Sequence, residues 1–375
     1  MENEAIPAGW PLYFLAANPR QWMRASLPKF QATAQAALAQ ATPSRAELLA
    51  CPWAQRHDYL RACAVREQAK RWAAQTGIPP EDTHFTMIVP IYNEAPSLPS
   101  FLATLMLADI PASAHANILL FTNACTDASL ALIDEFLACL GPVQEQQLSG
   151  VYHDQRLKRT CRVVRRGNLR FIHLDTGTPG KANVLALGNR IARENGHTIA
   201  ISIDANNYIE PDAISIMFAR AQQSFCDQPK AGEIVLMSGA IQKARRASPL
   251  AHLFRRADSI EGHFLDINDA NAVTGCLMAW NTAWMERVGG PPRVALEDYA
   301  LGILARSQDY TIASVPEAHI WVYESNTARG VLDTKARYVR GMLQLLTLAA
   351  EPAATALIQH DAYFMRDCLA RWKYL

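Results

Sequence analysis

Apolar and polar positions along this chain repeat as a short apolar run, a polar turn and an amphipathic stretch. Phe85-Thr-Met-Ile-Val-Pro90 reads as a buried strand, Ile91-Tyr92-Asn93-Glu94 as a polar turn, and a helix is predicted from about Ser97 to Leu107. Asn117 to Phe121 predicts a second strand, which ends in Thr122-Asn123-Ala124-Cys125-Thr126-Asp127 before a helix to about Leu140. Leu169 to Leu174 is the third strand, and Gly180-Lys181-Ala182-Asn183 opens a helix with Leu185, Leu187, Ile191 and Ala192 inward. The fourth, Ile199 to Ile203, stops abruptly at Asp204-Ala205-Asn206-Asn207, and Pro211 opens a helix to about Phe225. Strands alternating with helices predict an α/β fold around a mostly parallel, right-handed sheet. Such sheets bind ligands at the C-terminal ends of their strands, where the polar residues of this chain are concentrated.

Further along, Glu233 to Met237 is strand-like, Leu250 to Ile267 helical, and Ala272 to Trp280 an apolar strand with Gly275 where a backbone can approach a ligand. A helix starting near Val294 carries Glu297 and Asp298 in its first turn, and Tyr310 to Val315 and Ala318 to Tyr323 are two late strands. The charged excursion over 141–169 reads as a solvated surface loop. Residues 1–82, rich in Ala, Gln, Arg and Trp, predict a helical N-terminal extension with helices over Gln31–Gln40 and Arg56–Gln75. Residues 326–375 predict a C-terminal helical tail whose amphipathic part, Tyr338–Leu348, offers a packing or homo-oligomer surface rather than a membrane anchor. The α/β unit between them is 83–325.

Composition narrows the class. Half the residues are hydrophobic and 19% charged, as in a globular protein with a full core. A net charge of +1 argues against a general nucleic-acid or membrane-surface binder. The eight cysteines form no C-x-x-C pair and read as reduced thiols of a cytoplasmic protein. The start Met-Glu-Asn-Glu-Ala lacks the features of a signal peptide, and no apolar run of about eighteen residues predicts a membrane span.

A carboxylate at a strand end beside a side-chain amide, as in Asp204-Ala205-Asn206, suits a divalent ion that grips a diphosphate. An isolated D-x-N is more often a strand end and a solvated turn. Here it stands in a series: Tyr92-Asn93-Glu94, Thr122-Asn123 with Asp127, Gly180-Lys181, Asp204-Ala205-Asn206, Gly275 and Glu297-Asp298. That order and spacing resemble the family 2 glycosyltransferases, which have the nucleotide-sugar-binding GT-A fold. The family's V-P-x-Y-N-E start is matched by Val89-Pro90-Ile91-Tyr92-Asn93-Glu94, its G-K helix start by Gly180-Lys181, its D-A-D strand end by Asp204-Ala205-Asn206 and its E-D pair by Glu297-Asp298. The resemblance covers about 84–325.

The resemblance implies single-sugar transfer, with inversion, from a nucleotide-diphosphate sugar to a hydroxyl acceptor; the Q-x-x-R-W signature of processive membrane synthases is missing. It places Pro90, Tyr92, Glu94, Asn123, Lys181, Asp204, Ala205 and Gly275 at the donor, with Glu94 accepting from ribose or a base edge and Lys181 against the diphosphate. Asn123 (or Thr122) stands where the family commonly has a uracil-recognising aspartate, so the resemblance implies a UDP donor less firmly and other bases stay open beside it. Asp298 is implied as the general base, with Glu297 beside it. Asp204, Asn206 and the downstream His319 are implied as ligands of a divalent metal, Mn or Mg, Asn206 replacing the usual acid. Each residue also has a plainer role: helix-start acids favour the dipole, Asp127 can cap its helix, lysines are usually solvated and a lone histidine is usually structural. Two other functions fit part of the pattern. One is a non-catalytic sugar-nucleotide-binding protein. The other is a sugar-phosphate nucleotidylyltransferase, whose glycine-rich start after the first strand is replaced here by Pro-Ile-Tyr-Asn-Glu.

Overall fold

The computed structural model describes residues 83–110, 114–147, 160–177, 179–243 and 273–322, together with 336–337, 340–341 and 343–345. The predicted helices of 1–82, that of Leu250–Ile267 and most of the tail lie outside the described residues. Strand β1 (Thr83–Ile91) leads to helix α1 (Leu98–Leu107), β2 (Ala114–Asn123) to α2 (Ser129–Leu140), and β3 (Gln144–Gln147), β4 (Thr160–Arg166) and β5 (Leu169–Thr176) to α3 (Lys181–Glu194). Then come β6 (Ile199–Ile203), β7 (Asn207–Ile209), α4 (Ala213–Ser224), β8 (Ile234–Lys243), β9 (Leu277–Asn281), α5 (Thr282–Arg287), α6 (Glu297–Ser307) and β10 (Thr311–Val322).

All ten strands join one mixed sheet in the order β3-β4-β5-β2-β1-β6-β9-β8-β10-β7. Its centre, β5-β2-β1-β6, is parallel, but β3, β4, β7 and β9 all run antiparallel to their neighbours. The expectation of a mostly parallel sheet therefore holds for the centre and again for the β8–β10 pair, while β3, β4, β7 and β9 depart from it. The loop expected over 141–169 contains β3 and β4, an antiparallel extension. Its arginines disguise a strand whose Cys161, Val163 and Val164 are buried. The two late strands are one, β10, with a register shift between Val315 and His319 where Pro316 cannot supply a ladder N–H. Gly275 lies in a turn before β9 rather than within the strand.

Period-two alternation in the buried strands divides the core between two faces. On β1, Phe85, Met87, Val89 and Ile91 pack with α1, α2 and α4, while Ile88 faces α3, α5 and α6. Gly188 brings α3 close: a Cβ there would lie 2.6 Å from Ile88 Cδ1. Inside this layer Trp280 Nε1 donates to Asn189 Oδ1 at 2.9 Å, so burying the indole leaves its N–H satisfied.

At the opposite, N-terminal rim of the sheet, His197 is buried, stands 5.5 Å centroid to centroid from His84, and shares a 2.8 Å hydrogen bond with Thr86 Oγ1. Burial, reinforced by His84, pushes its imidazole down to about 4 from 6.5. A base depressed on folding binds more protons when unfolded, so its stabilisation is complete above about pH 6.5 and is lost as pH falls toward 4. Urea unfolding at pH 5 against pH 7 should therefore show a loss of roughly 1–3 kcal/mol, removed in large part by His197→Gln. Equal pH dependence in the variant would assign the effect elsewhere.

Candidate functional site

The strand order reverses around β1, which has β2 on one side and β6 on the other. The crevice at the C-terminal ends of β1 and β6 is thus a topological switch point, where open α/β sheets take their ligands. Tyr92, Asn93 and Glu94 follow β1 and Asp204 follows β6. Gly180, at φ 146°, turns the chain into Lys181, the first residue of α3. Glu297 and Asp298 open α6.

The first two strand–helix turns are laced together. Asn93 (φ 55°) and Ala124 (φ 54°) are both left-handed non-glycine residues, a conformation that persists only where surroundings enforce it. Thr126 N donates to Asn93 Oδ1 at 2.8 Å, Ala95 N to Asp127 Oδ2 at 2.9 Å and Glu94 N to Ser129 Oγ at 3.0 Å. Asp127 also accepts from Ser129 N at 2.9 Å, so it ties one turn to the other besides serving the start of α2. This lacing exposes Tyr92, at 53%, beside Glu94. Burial raises the Glu94 carboxyl above its usual range; a 2.9 Å hydrogen bond from Ser97 Oγ opposes this, the charges of Asp204 and Asp127 add to it, and Arg337 offsets it.

Asn123 is placed differently from the expectation of an amide offered to a base. It is buried, and its carbonyl oxygen accepts from Thr176 Oγ1 at 3.0 Å. Thr122 is also buried, bonded to His173 Nε2 at 2.9 Å and donating to Asp175 Oδ1 at 3.0 Å.

Three segments converge on Lys181. Its Nζ lies 2.6 Å from Asp204 Oδ1 and 3.1 Å from Glu297 Oε1, and donates to the Gly275 carbonyl at 3.2 Å. Gly275 N in turn donates to Asp298 Oδ2 at 2.7 Å, while Tyr299 N donates to Asp298 Oδ1 at 2.9 Å. Both oxygens of Asp298 are thereby oriented by backbone. Carboxylates around the ammonium drive the Lys181 pKa upward against the effect of burial. Burial raises Glu297, with Lys181 opposing and Asp298 reinforcing the shift. Ala205 is buried in the turn after β6, and Asn207 Nδ2 donates to the Cys276 carbonyl at 3.0 Å, joining that turn to the one before β9.

Two of the three expected metal ligands stand against protein side chains. Asp204 is held by Lys181, and His319 Nδ1 stands 3.7 Å from the buried Glu210, which also accepts from Trp321 Nε1 at 2.9 Å. Among the described residues, no three His, Cys, Asp or Glu side chains are grouped to hold an ion. As placed, Asp204 Oδ1 is taken up by the Lys181 ammonium.

Two residues that the sequence did not single out belong to this neighbourhood. Cys276 has its thiol pushed up to about 12 by burial and by Asp204. Arg337, from the C-terminal tail, carries a charge that reaches both Glu94 and Cys276. Residues 343–345 dock beside it: Gln344 Oε1 accepts from Ala295 N at 2.8 Å and Leu345 packs on Leu296 and Ala300.

No family model matches this chain. No curated protein matches it either. Solved structures do. A mannosyltransferase, PcManGT from Pyrobaculum calidifontis in complex with GDP-Man and Mn2+, is similar at 17% identity and TM-score 0.48, over 83% of this chain and 79% of that one. S. aureus TarS 1-349 in complex with UDP is similar at 14% identity and TM-score 0.44, over 76% of this chain and 71% of that one. No helix among the described residues is long and apolar enough to cross a membrane.

Proposed function

We propose that the chain is an inverting glycosyltransferase of family 2 and GT-A type, moving one sugar from a nucleotide-diphosphate sugar to a hydroxyl acceptor. The observation that supports this reading is the convergence of Glu94, Lys181, Asp204, Glu297 and Asp298 at the switch point of the sheet. In this reading residues 83–325 are the donor-binding and catalytic unit. Tyr92 and Glu94 face the nucleoside, with the base left open because Asn123 is buried and turns its carbonyl oxygen to Thr176. The diphosphate lies toward the N-terminus of α3, which no side chain caps, and toward the charge of Arg337.

Asp298 is the general base. Each of its oxygens accepts one backbone N–H, and a carboxylate oxygen retains a second lone pair for an acceptor hydroxyl. The hydroxyl proton passes to Asp298 as the acceptor oxygen bonds to the anomeric carbon from the face opposite the diphosphate. The bond from that carbon to the diphosphate oxygen breaks, and the nucleoside diphosphate leaves with the electron pair. Glu297 meanwhile holds Lys181 in place.

Incubation of the full chain with UDP- and GDP-sugars and a panel of hydroxyl acceptors tests this directly. The expected result is release of nucleoside diphosphate with inversion at the anomeric carbon. Pyrophosphate release from a nucleoside triphosphate and a sugar phosphate would instead establish a nucleotidylyltransferase. Tight nucleotide-sugar binding with no turnover on any acceptor would establish a non-catalytic binder.

A further inference from the structure

The Lys181 ammonium has three N–H donors. Three protein oxygens lie within reach of them: Asp204 Oδ1 at 2.6 Å, Glu297 Oε1 at 3.1 Å and the Gly275 carbonyl at 3.2 Å. These oxygens come from the end of β6, the first turn of α6 and the turn before β9, so one side chain ties together three distant segments. The Lys181 and Asp204 side chains are only 25% and 27% exposed, and Glu297 10%. Asp298 adds a third negative charge to the same neighbourhood.

An ammonium held by oxygens in this way occupies the position and does the electrostatic work of a hard cation in an all-oxygen site. Without it, three carboxylates would repel one another at close quarters. Its loss would therefore leave a group of hard oxygen ligands in need of a counter-ion, and a divalent ion is the natural one.

We propose that Lys181 is a positioning residue and the resident counter-ion of this site, holding Asp204 and Glu297 in place and excluding a free divalent ion from them. The proposal rests on the sugar-transfer reading in taking Mn2+ as the relevant probe. Its test needs no turnover, so the two stand or fall separately. Failure of every nucleotide sugar to react would remove the reading and leave the ion comparison intact.

The experiment is titration of Mn2+ into the full chain without nucleotide, followed by the paramagnetic resonance of free Mn2+ and by thermal shift. Wild type and Lys181→Arg are expected to take up no Mn2+ below millimolar concentration. Lys181→Met should bind Mn2+ about tenfold or more tightly than wild type and gain melting temperature with it, since it exchanges one buried cation for another. Adding Asp204→Asn to Lys181→Met should abolish the gain. Circular dichroism checks that each variant is folded. Two results overturn the proposal: a folded Lys181→Met that binds Mn2+ no better than wild type, or sub-millimolar uptake by wild type that Asp204→Asn removes. The second needs no Lys181 variant and decides the matter even if Lys181→Met does not fold.

Discussion

Asp298→Asn is expected to lower the rate of sugar transfer by a factor of about 10²–10⁴ while nucleoside diphosphate affinity stays close to that of wild type. The substitution keeps the shape of the side chain and removes the ability to take a proton. It also has a local cost. Both carboxylate oxygens accept backbone N–H groups, from Gly275 and Tyr299, and an amide can replace only one of them as an acceptor. One N–H then faces an NH₂ group, a mismatch worth about 1–3 kcal/mol of stability. Steady-state kinetics, nucleotide titration and urea unfolding separate the two effects. Unchanged turnover would remove Asp298 as the base.

Gly275→Ala is the second large effect. A Cβ there would lie 3.0 Å from Asp298 Oδ2, 3.1 Å from Lys181 Nζ and 3.2 Å from Asp298 Cβ. The Asp298 carboxylate would have to give by a few tenths of an ångström against the Gly275 N–H, and the ammonium likewise against its three oxygens. A methyl group that touches neither substrate thus displaces the base and the counter-ion together. Displacements of about 1 Å in a reacting constellation cost on the order of 10²-fold, so shifts of a few tenths of an ångström are expected to lower kcat by about three- to tenfold. Wild-type kinetics in Gly275→Ala would show that the contact between Gly275 and Asp298 has no part in turnover.

The parallel centre of the sheet was legible because its strands are buried on both faces and read as short apolar runs. Ile199 to Ile203 was delimited to the residue. The polar strand ends were legible too, since Glu94, Lys181, Asp204 and Glu297-Asp298 each interrupt an apolar or helical pattern where a sheet exposes its rim. Strand β4 was not, because half its side chains are arginines or other polar groups paired across an antiparallel extension. Strand β7 is three residues long, too short for periodicity to register. Side-chain direction was the other blind spot. Asn123 turns inward to Thr176, and His319 turns to Glu210, an acid 109 positions earlier whose nearness depends on β7 pairing with β10. Arg337 gave no sign of its place, since its charge reaches Glu94 and Cys276 from far along the chain, and the packing of Leu345 on Leu296 and Ala300 is a long-range contact that charge patterning does not reveal.

The most direct test is calorimetric titration of UDP, GDP, CDP, ADP and dTDP into the wild-type chain and into Glu94→Gln. One of these nucleotides should bind wild type with one-site stoichiometry. Glu94→Gln should weaken it about tenfold, the loss of one charge-assisted hydrogen bond to the nucleoside. Absence of binding by all five, or binding indifferent to Glu94, would contradict a donor site at the ends of β1 and β6.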